Sequence, residues 1–197
     1  ESPLADELCM LNFGSCAYGL DQIVLLLERS VERYVGEDPV VVLGIFVDED
    51  LDRCALSFRG HPKPQVTEEF TWDFPGEATA DAWLEEHPPE ISSYLGRLFM
   101  TSGLMPGAWT RESKAPVIAL KQRSAAWLLE RARDLLRERD LEHFVVLFHG
   151  ERLASGREGV DWRETFLLRT LEELQIPYVS SRGALFADHV STGRGAR

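Results

Sequence analysis

Residues Val40–Val47, VVVLGIFV, form a run without a charge and rich in β-branched side chains. It is too short for a long helix and lacks a polar face, so it reads as a strand buried on both sides. Such strands belong to parallel sheets. A parallel partner can be reached only by a crossover of a dozen or more residues, usually a helix. One short segment therefore requires a chain that alternates strands with helices. The run breaks at once into Asp48-Glu49-Asp50, then Asp52-Arg53. Carboxylates at the carboxyl end of a central strand lie where open α/β sheets bind ligands. The same residues fit a solvated turn in which an aspartate caps a short helix equally well.

The rest of the chain keeps the alternation. Leu8–Phe13 reads as a strand, and Asp21–Val35 as a helix with Ile23, Leu26, Leu27 and Val31 on one face. Cys54–Pro89 is irregular, broken by Gly60, Pro62, Pro64, Pro75, Gly76, Pro88 and Pro89. Ile91–Met100 reads as a short helix and Thr101–Pro116 as a loop. Lys121–Arg139 is the clearest helix, with Ala125, Leu128, Leu129, Ala132, Leu135 and Leu136 as its apolar stripe. His143–Phe148 is a buried strand, Asp161–Leu174 a helix with Asp161 as N-cap, and Ile176–Ser180 a last strand. This order predicts a three-layer α/β sandwich around a mostly parallel sheet, with Val40–Val47 and His143–Phe148 central. The two long irregular segments are expected to cover the carboxyl edge of that sheet.

A chain of 197 residues, 44% hydrophobic and 27% charged, has the bulk for one globular domain. No linker divides it. Its net charge of −12 excludes nucleic-acid binding by phosphate neutralisation, which needs a basic surface. No run reaches the roughly 18 apolar residues of a membrane span. Cys9, Cys16 and Cys54 make neither a CxxC pair nor a zinc spacing and read as free thiols, which favours a cytoplasmic setting. Nothing in the sequence calls for a metal or another cofactor. The chain opens on Glu1 and stops on STGRGAR, which reads as a piece of a longer protein.

The stretch Leu11–Gln22, LNFGSCAYGLDQ, is a strand-to-helix passage through Gly14. Such a turn presents backbone N–H groups to an anion or a developing oxyanion, although a glycine there also serves a plain tight turn. Gly14, Asp48, Glu49, His149 and His189 follow the ends of different strands, so a parallel sheet would gather them at one edge. His61 and His87 lie in proline-rich loops, and His143 precedes a strand. His189, after the last strand, is the best candidate base, with Asp188 beside it.

Taken together, these segments resemble the SGNH/GDSL hydrolase superfamily, in its bacterial acyl-hydrolase-like branch. Asn12-Phe13-Gly14, Tyr18-Gly19 and Asp21-Gln22 resemble the family's second block, whose glycine donates its N–H to the oxyanion. Val40–Arg53 resembles the third block, a strand ending in Gly-x-x-x-x-Asn-Asp. Arg59-Gly60-His61-Pro62-Lys63-Pro64 is similar to a Lys-Pro loop seen after that block. Arg163–Leu185 resembles the helix and strand leading to the last block, where Asp188-His189 and Arg194–Arg197 stand. The resemblance covers most of residues 1–197 and implies one SGNH/flavodoxin-like domain lacking its first strand and C-terminal helix. It implies hydrolysis of a small acyl ester, such as an O-acetyl group on a carbohydrate. Asp188 and His189 would complete the catalytic triad, and Gly14, Asp48, Glu49 and His149 would line the oxyanion hole or substrate edge.

Three departures bear on that expectation. No Gly-Asp-Ser nucleophile motif occurs in the chain. Glu49 stands where the family has an asparagine, and an ionised carboxylate cannot donate to an oxyanion. The acid adjoins His189 instead of preceding it by three residues. Two classes of function follow: an ester hydrolase, or a catalytically inactive domain of the same fold used for binding or assembly.

Overall fold

The computed structural model describes residues 9–15, 18–54, 63–74, 82, 85, 115–150 and 161–184. Helix α1 is Leu20–Ser30, followed by two short 3-10 turns, and strand β1 is Val41–Phe46. A single helical turn, α2, spans Asp50–Arg53, and a small antiparallel hairpin pairs β2 (Gln65–Val66) with β3 (Trp72–Asp73). The long helix α3 is Ala115–Arg137, then come β4 (His143–Phe148), α4 (Trp162–Glu173) and β5 (Tyr178–Ser180). Asp161 is the N-cap of α4, its Oδ1 accepting the Arg163 N–H at 2.7 Å.

The main sheet is parallel, in the order β1-β4-β5. Val41 lies opposite His143 and Phe46 opposite Phe148; Val145 lies opposite Tyr178 and Leu147 opposite Ser180. Alternation along the strands turns Leu43, Ile45, Val145 and Leu147 to one face, where they are buried. Leu20, Val24 and Leu27 of α1, Leu128, Leu129 and Leu136 of α3, and Phe166, Leu167 and Leu171 of α4 join them in one core. Truncating any of the fully buried leucines to alanine should cost ~2–5 kcal/mol.

The fold is thus α/β with a parallel sheet, and its described part has two layers. The order explains why. Both crossovers step the same way across the sheet, and right-handed connections that keep one direction put their helices on one face. The opposite face carries Val42, Phe148 and Val179, each about half exposed. β4 is the central strand, whereas β1 lies at an edge of the sheet among the described residues.

Residues 9–15 form no strand, and Met10, Leu11 and Phe13 are exposed. The side chain of Asn12 accepts the Gly14 N–H at 2.8 Å, a local closure that takes a donor a sheet ladder would need. The longest described stretch of the irregular segment Cys54–Pro89, residues 63–74, packs its hairpin on α3. Phe70 stacks on Trp127 with ring centroids 6.1 Å apart, and Trp72 meets the same indole edge-on at 5.9 Å. The expected helix Ile91–Met100 and loop Thr101–Pro116 lie outside the described residues, apart from the last two positions of that loop, which begin α3.

Candidate functional site

The carboxyl ends of β1, β4 and β5 meet at one edge of the sheet. Val47 N–H extends the ladder to Phe148 O at 2.9 Å, and Ser181 N–H extends it to Leu147 O at 3.0 Å. These bonds set Asp48, His149 and Ser181 side by side, one from each strand end. Asp48 Oδ2 accepts the Gly150 N–H at 3.2 Å, while its buried Oδ1 has no hydrogen-bond partner among the described residues.

His149 continues the parity of Val145 and Leu147, so its ring turns toward the helical layer. Its side chain is fully buried. Glu164 meets it there from the first turn of α4, because Glu164, Leu167 and Leu171 share the inward stripe of that helix. His149 Nε2 lies 3.2 Å from Glu164 Oε1, and Nδ1 lies 3.3 Å from Ser181 Oγ. The Ser181 hydroxyl also accepts the backbone N–H of His149 at 3.1 Å. Arg182 forms an ion pair with the other oxygen of Glu164. A buried imidazole is thus held between a carboxylate and a hydroxyl, with a guanidinium balancing the carboxylate.

A second polar cluster braces the turn after β1. Asp50 Oδ2 accepts the Phe46 N–H at 2.7 Å, and its Oδ1 pairs with Arg53 at 3.0 Å. Burial pushes the Asp50 carboxyl up to about 6; the Phe46 N–H opposes that, and the charge of Asp21 adds to it. Lys63 Nζ reaches Asp21 Oδ2 at 2.5 Å and Arg53 O at 2.8 Å, and both members of this pair are buried. Burial raises the Asp21 carboxyl despite the neighbouring ammonium of Lys63. Burial would raise Asp52 too, but Lys121 and Arg163, at 2.6 and 2.5 Å, hold it below the ordinary carboxylate range.

Of the residues expected at the site, Asp48 and His149 come together at the strand ends. Glu49 is half exposed and forms an ion pair with Arg53 one helical turn on. Gly14 is exposed, and its N–H is engaged by Asn12. Asp188 and His189 lie outside the described residues. Sequence reading missed Ser181 and Glu164. Glu164 had a signal, its i, i+3, i+7 spacing with Leu167 and Leu171; Ser181 had none beyond its place after the last strand. No group of three or more potential metal-ligating side chains occurs among the described residues. No described helix is long and apolar enough to cross a membrane.

Fold and site together define an α/β domain with a buried histidine cluster at the carboxyl edge of a parallel sheet. Comparison of the chain with protein-family models, with curated proteins and with solved structures gives no match.

Proposed function

We propose that this chain is an SGNH-like ester hydrolase acting on a small acyl ester, such as an O-acetyl group on a carbohydrate. The observation that carries the reading is His149: its ring is oriented by Glu164 at the edge where α/β sheets bind ligands. A general base needs a fixed tautomer and a fixed direction, and a carboxylate on one ring nitrogen supplies both. The resemblance adds Asp188 and His189 as an acid–base pair. The proposal includes a three-layer sandwich, and the apolar face formed by Val42, Phe148 and Val179 supports a second covering layer.

One pair of observations favours the inactive, binding-domain reading. Glu49 is a carboxylate held by Arg53, and the Gly14 N–H is engaged by Asn12. Neither position then offers a donor to an oxyanion. Hydrolysis of p-nitrophenyl acetate and of an acetylated oligosaccharide by the full-length protein tests the choice. The hydrolase reading expects turnover that falls by orders of magnitude on loss of the base, in His149→Ala or in His189→Ala. A folded full-length protein without turnover, even as Glu49→Asn, supports the binding domain.

A further inference from the structure

We propose that Ser181 is a nucleophile activated by His149, with Glu164 as the positioning acid, so that the described part of the chain holds its own acyl-transfer group. The inference rests on the ester-hydrolase reading and supplies the nucleophile that a missing Gly-Asp-Ser motif leaves open.

The hydrogen-bond pattern assigns each proton. Glu164 faces the Arg182 guanidinium, which can only donate, and as a carboxylate it accepts from both neighbours. The Nε2 of His149, 3.2 Å from Glu164 Oε1, must then be the donor. In the neutral ring that leaves Nδ1 with a lone pair. Ser181 Oγ, 3.3 Å from Nδ1, already accepts the His149 N–H at 3.1 Å. One oxygen lone pair is thus occupied, and the hydroxyl proton is left to point at Nδ1. This is a nucleophile, base and acid in hydrogen-bond reach, with the two ring nitrogens exchanged relative to the usual serine hydrolase order.

A purely structural clasp between β4, β5 and α4 accounts for the burial of His149 and Glu164. It does not require the hydroxyl to sit at the ligand edge. Ser181 is only half-buried there, whereas His149 and Glu164 are buried.

In the reaction, Ser181 Oγ adds to the ester carbonyl carbon as its proton passes to His149 Nδ1. The carbonyl–alkoxy bond then breaks, and the leaving alcohol takes that proton. Water attacks the acyl-Ser181 ester in the same way, returning the serine and releasing the acid. One ester and one water are consumed, and no oxidant or metal is required.

The test is reaction of the full chain with a fluorophosphonate probe, mapped by peptide mass spectrometry. The peptide Thr170–Arg182 contains both Ser180 and Ser181, so fragment ions must locate the adduct. The expected result is an adduct on Ser181 that persists in Ser180→Ala and vanishes in Ser181→Ala. Ser181→Ala, at unchanged melting temperature, should also lower ester hydrolysis at least about 100-fold. Glu164→Gln should slow labelling about 10-fold or more while the adduct stays on Ser181. Ester turnover that survives Ser181→Ala, with the adduct on another serine, overturns the assignment but leaves the hydrolase reading intact. A folded chain with neither adduct nor turnover overturns both. Labelling unaffected by Glu164→Gln overturns the role of Glu164.

Discussion

Asp48 Oδ2 and the Gly150 N–H, 3.2 Å apart, close the gap between the ends of β1 and β4. The approach is so tight that a Cβ on Gly150 would overlap Asp48 Oδ2 and touch the Phe46 ring at 3.4 Å. Gly150→Ala should therefore destabilise the protein by ~1–3 kcal/mol. In an Asp48→Ala background the obstacle is gone and the same change should cost much less. Chemical denaturation of the four proteins of this cycle measures the coupling; equal costs in both backgrounds would refute the packing account.

The second expectation concerns pH. The Asp50 carboxyl is raised from 3.8 to about 6 on folding, chiefly by burial. A raised folded-state value means the native protein binds the proton more tightly than the unfolded chain. The stability this group contributes is then complete below about pH 3.8 and is lost as pH rises through about 6. Asp50→Asn does not titrate. Relative to that variant, the wild-type protein should lose roughly 1–2 kcal/mol between pH 4 and 7. Urea melts across that range measure the difference, and a gap that widens in favour of wild type with pH would contradict it.

Lys63 offers a third test. Its ammonium is the charged partner of the buried Asp21 carboxylate, at 2.5 Å. Lys63→Met leaves that carboxylate buried and uncompensated, at a cost of ~3–5 kcal/mol near neutral pH. Protonation relieves the cost, so the loss should shrink as pH falls. Adding Asp21→Asn should recover part of it at pH 7. A melting temperature for Lys63→Met that is independent of pH would exclude a buried charge as the cause.

The cysteines should differ sharply in reactivity. Cys9 is exposed, whereas Cys54 is buried and its thiol is pushed up to about 12 by burial and by the charge of Asp21. The thiolate is the reactive form. Iodoacetamide at pH 8 should modify Cys9 in the native protein within minutes and leave Cys54 intact until denaturant is added. Early modification of Cys54, read by peptide mass spectrometry, would show that its surroundings open readily.

Local chemistry decided the pieces of this fold. The apolar run HFVVLF makes β4 at its expected bounds, with alternate residues Val145 and Leu147 turned into the core. Asp161 starts α4 because its side chain satisfies an N–H that the helix leaves free, and the stripe from Ala125 to Leu136 fixes the inward face of α3. In the same way, apolar alternation placed His149 at the carboxyl end of β4. Tertiary structure decided what those pieces meet. Leu8–Phe13 has strand-forming composition, yet its described residues gained no ladder partner, and Asn12 engaged the Gly14 N–H instead. Glu49 lies where a ligand edge was expected, but Arg53, one helical turn away, claimed it. Glu164 and Ser181 reach His149 from 15 and 32 residues away. Those contacts exist because two crossovers in the same direction bring α4 and β5 to one side of β4. Periodicity registers which face a residue takes, within a few turns of chain. Which distant faces come together is a property of the packed sheet, where the order and register of the strands are set by the burial of all of them at once.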